Sequence, residues 1–155
     1  MDYNHFVIAR VLHILGIVLW IGGVAFVTTV LIPAIHHNQS PDNRLALFEL
    51  LEGKFSFQAK LSTLLTGLSG FYMLHVMNAW GAMGWWIYLM IFIWLIFTLV
   101  LFVLEPLVLH KWFHERAQIN GEKAFFILQI MHIILLSISL LAVLAGVAGA
   151  HGLLH

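Results

Sequence analysis

The stretch FVIARVLHILGIVLWIGGVAFVTTVLIPAI, residues 6–35, carries a single charge, Arg10. A helix needs roughly 20 apolar residues to cross a hydrocarbon core of about 30 Å, so this segment reads as a membrane span. Its apolar run is far longer than the ~7–15 residues of a signal-peptide core, and no small-residue cleavage site closes it. Moving outward from it, three further stretches of spanning length follow at residues 57–77, 85–110 and 124–150. The expectation is an all-α integral membrane four-helix bundle, one domain over residues 1–155 with no separate soluble module. Composition agrees, because 62% of the residues are hydrophobic and only 9% charged, against about a quarter charged in soluble domains.

Six of the seven basic residues flank two connections: Arg44, Lys54 and Lys60 after the first span, and Lys111, Arg116 and Lys123 after the third. The connection between the second and third spans, residues 78–84, has no charge. By the positive-inside rule both termini face away from the cytoplasm, which in a bacterial inner membrane places them in the periplasm. The zero net charge gives no field to attract nucleic acid. With no cysteine in the chain, disulfides, thiolate metal sites and iron–sulfur clusters are excluded. In the first cytoplasmic segment, Ser40-Pro41-Asp42 reads as a helix start leading into Leu45, Leu47, Phe48, Leu50 and Leu51, a short amphipathic helix lying on the membrane. Asn120-Gly121 reads as a turn.

Helices in lipid associate through small and hydrogen-bonding residues, so such stripes mark inward faces. His13, Gly16, Trp20 and Gly23 form one stripe; Ala59, Thr63, Thr66, Gly67 and Gly70 a second; His132, Ser139 and Gly146 a third. Glu105-Pro106 falls late in the third span, where the ring interrupts helical hydrogen bonding and the carboxylate needs a partner from Lys111 or another helix.

Ten histidines in so apolar a chain are the main lead to function. An ionisable residue inside a span is a functional candidate, and neutral imidazole is a natural axial ligand for haem iron. With a rise of about 1.5 Å per residue, His13 and His75 lie roughly 10 and 12 Å toward the outer side of their spans, and His132 roughly 7 Å toward the cytoplasmic side. This matches His13 and His75 as axial ligands of a b-type haem between the first two spans, with Arg10 one turn from His13 to meet a propionate. His132 is then a second site, a further haem or a proton-handling group. His5, His36, His37, His110, His114 and His151 sit at the boundaries, where interfacial solvation accounts for them. Met73, Met77 and Met83 gather near His75, a set suited to Cu(I), although His75 does not share the face of Met73 and Met77.

The run Leu12-His13-Ile14-Leu15-Gly16-Ile17-Val18-Leu19-Trp20-Ile21-Gly22-Gly23 resembles the first helix of a superfamily that includes the copper-resistance D-type membrane proteins and the HemJ-type membrane protoporphyrinogen oxidases. Leu65-Thr66-Gly67-Leu68 is similar to that superfamily's second helix. The resemblance implies a four-helix haem b protein with His13 as the haem-associated histidine. Its HemJ branch further implies oxidation of protoporphyrinogen, with electrons passing to a quinone or a respiratory partner. The chain departs from that branch after Pro33, where Ala34 stands in place of the usual Arg, and at Ala148-Gly149-Ala150, where that branch carries Lys-Pro. The expected function is thus a haem b membrane protein in electron transfer or oxidoreductase chemistry, linked to quinone. The rivals are a copper transport or resistance protein and a cofactor-free assembly subunit, whose small-residue stripes also suit a homo-oligomer.

Overall fold

The computed structural model describes residues 3–153, with side chains except those at 108–110, 113, 114 and 116–118. Helix α1 (Tyr3–Phe26) runs through a π-helical stretch (Val27–Leu31) into α2 (Ile32–Asn38). An extended Gln39 separates α2 from α3 (Pro41–Val76). After the turn that includes Asn78, α4 (Trp85–Leu99) passes through a second π-helical stretch (Val100–Leu109) into α5 (His110–Ala150). The architecture is all-helical, with no strand among the described residues.

Among the described residues three helical stretches are long and apolar enough to cross a membrane: Tyr3–Asn38, Trp85–Leu107 and Ile119–Ala150. α3 falls short of that apolarity because it carries Gln58, Lys60 and His75 as well as the buried Ser56, Ser62, Thr63, Thr66 and Ser69 beside Ala59 and Gly67. Most of those hydroxyls need no water. Ser62, Thr66 and Ser69 donate to the carbonyls of Gln58, Ser62 and Leu65, four residues back, at 2.8, 2.8 and 2.5 Å.

α3 is the spine of the bundle and packs chiefly on α1. At Gly16 the two backbones come so close that a β-carbon would lie 3.1 Å from the Thr66 nitrogen and 3.2 Å from the Ser62 oxygen. Gly67 makes room for the Trp94 indole, whose Nε1 donates to the Thr63 carbonyl at 2.9 Å. On the third stripe Ser139 is fully buried, and Gly146 and Gly149 lie against Met90 and Trp86 of α4. All three small-residue stripes therefore face inward.

One expectation needs correction. The amphipathic helix does not lie on the surface as a separate element. It is the first third of an unbroken α3 of 36 residues, about 54 Å long at 1.5 Å per residue. No proline interrupts residues 42–76, and Gly53, between the amphipathic part and the span, is too weak a breaker to end a helix. Leu45 and Phe48 turn into an apolar cluster with Val27, Ile32 and Ile35 and with Phe125 and Leu128 of α5. At Asn120-Gly121 the chain does break as expected, and α5 is two helices joined across a kink. Asn120 leaves helical geometry (φ −158°, ψ 93°), and its Oδ1 accepts the backbone N–H of Lys123 at 2.9 Å, capping the helix that restarts there.

Proline explains both π-helical stretches. Pro33 and Pro106 lack the N–H that would bond the carbonyls of Thr29 and Phe102, and their rings crowd those carbonyls. A widened turn relieves the crowding. The Thr28 and Thr29 hydroxyls bond the Val24 and Ala25 carbonyls across the first stretch, both at 2.7 Å.

Candidate functional site

The half of the bundle that holds the α2–α3 connection contains a cavity of about 400 Å³, within the usual range of small-molecule sites. Trp20 and Val24 of α1 form one wall, and Phe48, Phe55 and Ala59 of α3 another. Val100, Leu101 and Pro106 of the second π stretch and Leu128, Met131 and Leu135 of α5 close it. Its polar groups are Glu49, Glu52 and Ser56 from α3, Glu105 from the π stretch and His132 from α5.

Glu105 finds the partner its burial requires, though not Lys111. Ser56 Oγ donates to its Oε1 at 2.5 Å, and Lys60 Nζ lies 3.3 Å from the same oxygen. Its other oxygen, Oε2, is buried without a partner among the described residues. So is Nε1 of Trp20, a side chain only 4% exposed, whose ring packs edge-on against Phe97 at 4.8 Å. A donor and an acceptor thus stand unsatisfied at one cavity. Burial pushes the Glu52 carboxyl up to about 7, and the negative charge of Glu105 and Glu49 adds to this while Lys60 opposes it.

His132 lines the cavity edge-on to Phe48, ring centroids 5.5 Å apart, and its Nδ1 lies 3.0 Å from the Leu128 carbonyl. His13 is half-buried between α1 and α3, its Nδ1 2.8 Å from the Thr66 carbonyl and 3.3 Å from Ser69 Oγ, with Gly70 giving the ring its room. In both, a carbonyl at Nδ1 selects the tautomer with the proton there and leaves Nε2 as the lone-pair nitrogen, the arrangement that second shells impose on metal-ligating histidines.

His75 is exposed. It follows Gly70 by five residues, about 140° around α3, so it does not share the face against which His13 packs. No described contact joins the two rings. The close approach of α1 and α3 at Gly16 and Gly70 also leaves no macrocycle-sized gap between them at the depth of His13. A bis-imidazole haem between these helices does not fit this arrangement; a haem here would have one imidazole from the chain. Arg10 is exposed one turn before His13. Of the copper candidates, His75 and Met77 are exposed and Met73 and Met83 half-buried. Among the described residues no three histidine or carboxylate side chains gather as a metal site.

At the boundaries, His5 meets the Tyr72 hydroxyl at 3.2 Å, His36 stacks on Phe125, and the His151 ring folds back on the Val147 carbonyl. The side chains of His110 and His114 lie outside the described residues. Sequence reasoning missed Glu49, Glu52, Ser56 and Lys60 as parts of a site. Their spacing on one helix face was the available signal, but it looks the same as a solvated face until Glu105 is brought against it.

Comparison with family models, with curated proteins and with solved structures finds no match for this chain.

Proposed function

We propose that the chain is a membrane redox protein that exchanges electrons with a quinone held in the inner cavity, with haem b as its electron carrier. In this reading α3 is the fourth crossing, the basic end faces the cytoplasm and both termini lie on the outer side of a bacterial inner membrane. The observation that carries it is the Trp20 indole N–H, buried and without an acceptor among the described residues at the wall of a largely apolar cavity of about 400 Å³. A quinone headgroup supplies the carbonyl acceptor, and Phe48, Phe97 and Trp20 supply the aromatic wall for its ring. His132 and the carboxyls provide groups that exchange protons with a quinol. Haem is supported by His13, whose Nε2 keeps its lone pair, with Arg10 outward for a propionate; because α1 and α3 leave no gap between them, a haem on His13 would lie outside that contact as a single-imidazole site. Bound haem supplies one-electron transfer, and this chain's part is the imidazole and an apolar setting.

Binding of a short-chain benzoquinone to the purified protein, followed by tryptophan fluorescence, tests the reading. Trp20→Phe keeps the ring and removes the donor, so affinity should fall about tenfold, the value of one hydrogen bond to a buried donor. Absence of quinone binding, or equal affinity in the variant, overturns the site. Haem is tested separately. The reduced-minus-oxidised spectrum of protein from haem-replete cells should show a Soret band that His13→Ala removes, and a colourless preparation sinks that half of the proposal.

A further inference from the structure

Trp20 Nε1 and Glu105 Oε2 are buried on residues of the same cavity without a hydrogen-bond partner among the described residues, and they are of opposite kind. The indole nitrogen of Trp20, on α1, only donates. Glu105 belongs to the second π stretch, and its two oxygens are treated differently. Ser56 Oγ and Lys60 Nζ both engage Oε1, at 2.5 and 3.3 Å, and a hydroxyl and an ammonium together support the carboxylate form. A carboxylate oxygen only accepts, so Oε2 still lacks a donor. Leaving a charged acceptor unmet costs more than leaving a neutral donor unmet, so a guest gains most by serving Glu105. Pro106 forces the widened turn that carries this residue, a distortion that often marks functional sites.

The two redox forms of a quinone meet this pair differently. In the oxidised form both ring oxygens are carbonyls, which accept and cannot donate. One of them satisfies Trp20, but the other has nothing to offer Glu105 and sets lone pairs against lone pairs. In the hydroquinone each oxygen is a hydroxyl, which both donates and accepts. One accepts from Trp20 while the other donates to Oε2, in a charge-assisted bond of the stronger class. The apolar walls, with Phe48 and Leu135 among them, suit the ring in either form and do not discriminate. Water can meet both atoms, but the cavity of about 400 Å³ has the room and the apolar lining for a ring.

We propose that the cavity is selective for the reduced form of its ligand, a hydroquinone, with the Glu105 carboxylate accepting from one hydroxyl and the Trp20 indole donating to the other oxygen. Ser56 and Lys60 are positioning residues that fix which carboxylate oxygen is left for the ligand. The inference rests on the quinone reading of the cavity and adds to it the redox form that is held.

The test compares a short-chain benzoquinone, its hydroquinone and the dimethyl ether of that hydroquinone. Binding is measured by equilibrium dialysis under argon against the purified protein in lipid nanodiscs, with ligand in excess over protein and empty nanodiscs as the blank. The dimethyl ether keeps both oxygens and has no hydrogen to donate. The hydroquinone should bind at least about tenfold tighter than either of the others, the worth of a hydrogen bond to a charged acceptor. In Glu105→Gln the amide oxygen stays with Ser56 and Lys60, so the amide nitrogen, a donor, replaces Oε2. The preference should then vanish or turn toward the quinone, with quinone affinity kept or improved. Trp20→Phe should weaken quinone and hydroquinone alike and leave the preference in place. Equal affinity for the two redox forms, a hydroquinone held no better than its dimethyl ether, or a preference that survives Glu105→Gln overturns the proposal. Quinone bound without preference sinks this inference alone, whereas binding of neither form sinks the quinone reading with it.

Discussion

Gly16→Ala should lower the unfolding free energy by about 2–3 kcal/mol, near the upper end of the cost of forcing an extra methyl into a packed contact. The new β-carbon meets the Thr66 hydroxyl and comes within 3.1 and 3.2 Å of the Thr66 nitrogen and the Ser62 oxygen. The hydroxyl cannot rotate away freely, because it is bonded to the Ser62 carbonyl at 2.8 Å. The two backbone atoms can yield only if α1 and α3 separate by a few tenths of an ångström along their shared length. Gly22 is the control, since a β-carbon there meets nothing within 4 Å and Gly22→Ala should change stability by less than about 1 kcal/mol or raise it. Unfolding in mixed micelles with increasing sodium dodecyl sulfate measures both. Equal stability of the two variants would show that α1 and α3 are not in contact at Gly16.

The second large effect is on pH dependence. Glu52 moves from its ordinary value of 4.5 to about 7 in the folded chain, so between those values the folded state holds a proton that the unfolded state has lost. Stability therefore falls as pH rises through that window. The contribution is fully present below about 4.5 and gone above about 7. The gap corresponds to at most about 3 kcal/mol. Other carboxyls and histidines add their own slopes, so the readout is the difference between the wild type and Glu52→Gln. Wild-type midpoints of thermal unfolding should drop between mildly acidic and slightly alkaline buffer, and the variant should lose most of that drop. Parallel curves would mean that Glu52 is ionised throughout.

The sequence disclosed the bundle and its inward faces through local periodicity. Gly16, Thr66, Gly67 and Ser139 could be read inward because helical spacing alone decides which residues share a face. It did not disclose the cavity, because the cavity is made by contacts that no local pattern encodes: Glu105 joins Ser56 across 49 residues and Lys60 across 45. His75 is a different case: its offset of about 140° from the Gly70 stripe can be read from five-residue spacing, and what the structure adds is that this side of α3 is exposed there. The unbroken α3 was missed for another reason. A proline at its start is easily read, but the lack of a break over the following 35 residues has no signature of its own.

The hydroxyl-rich contact face of α3 also bears on how the protein is made. A segment whose inward surface is Ser, Thr and Gly, with Lys60 and Gln58 near its entry, has little apolar surplus to drive it out of an insertion channel alone. α1 has that surplus and presents the glycines into which α3 fits. In the four-crossing reading, the two leave the channel together as a hairpin, and a lesion at Gly16 is felt first as failed biogenesis and only afterwards as a weaker fold.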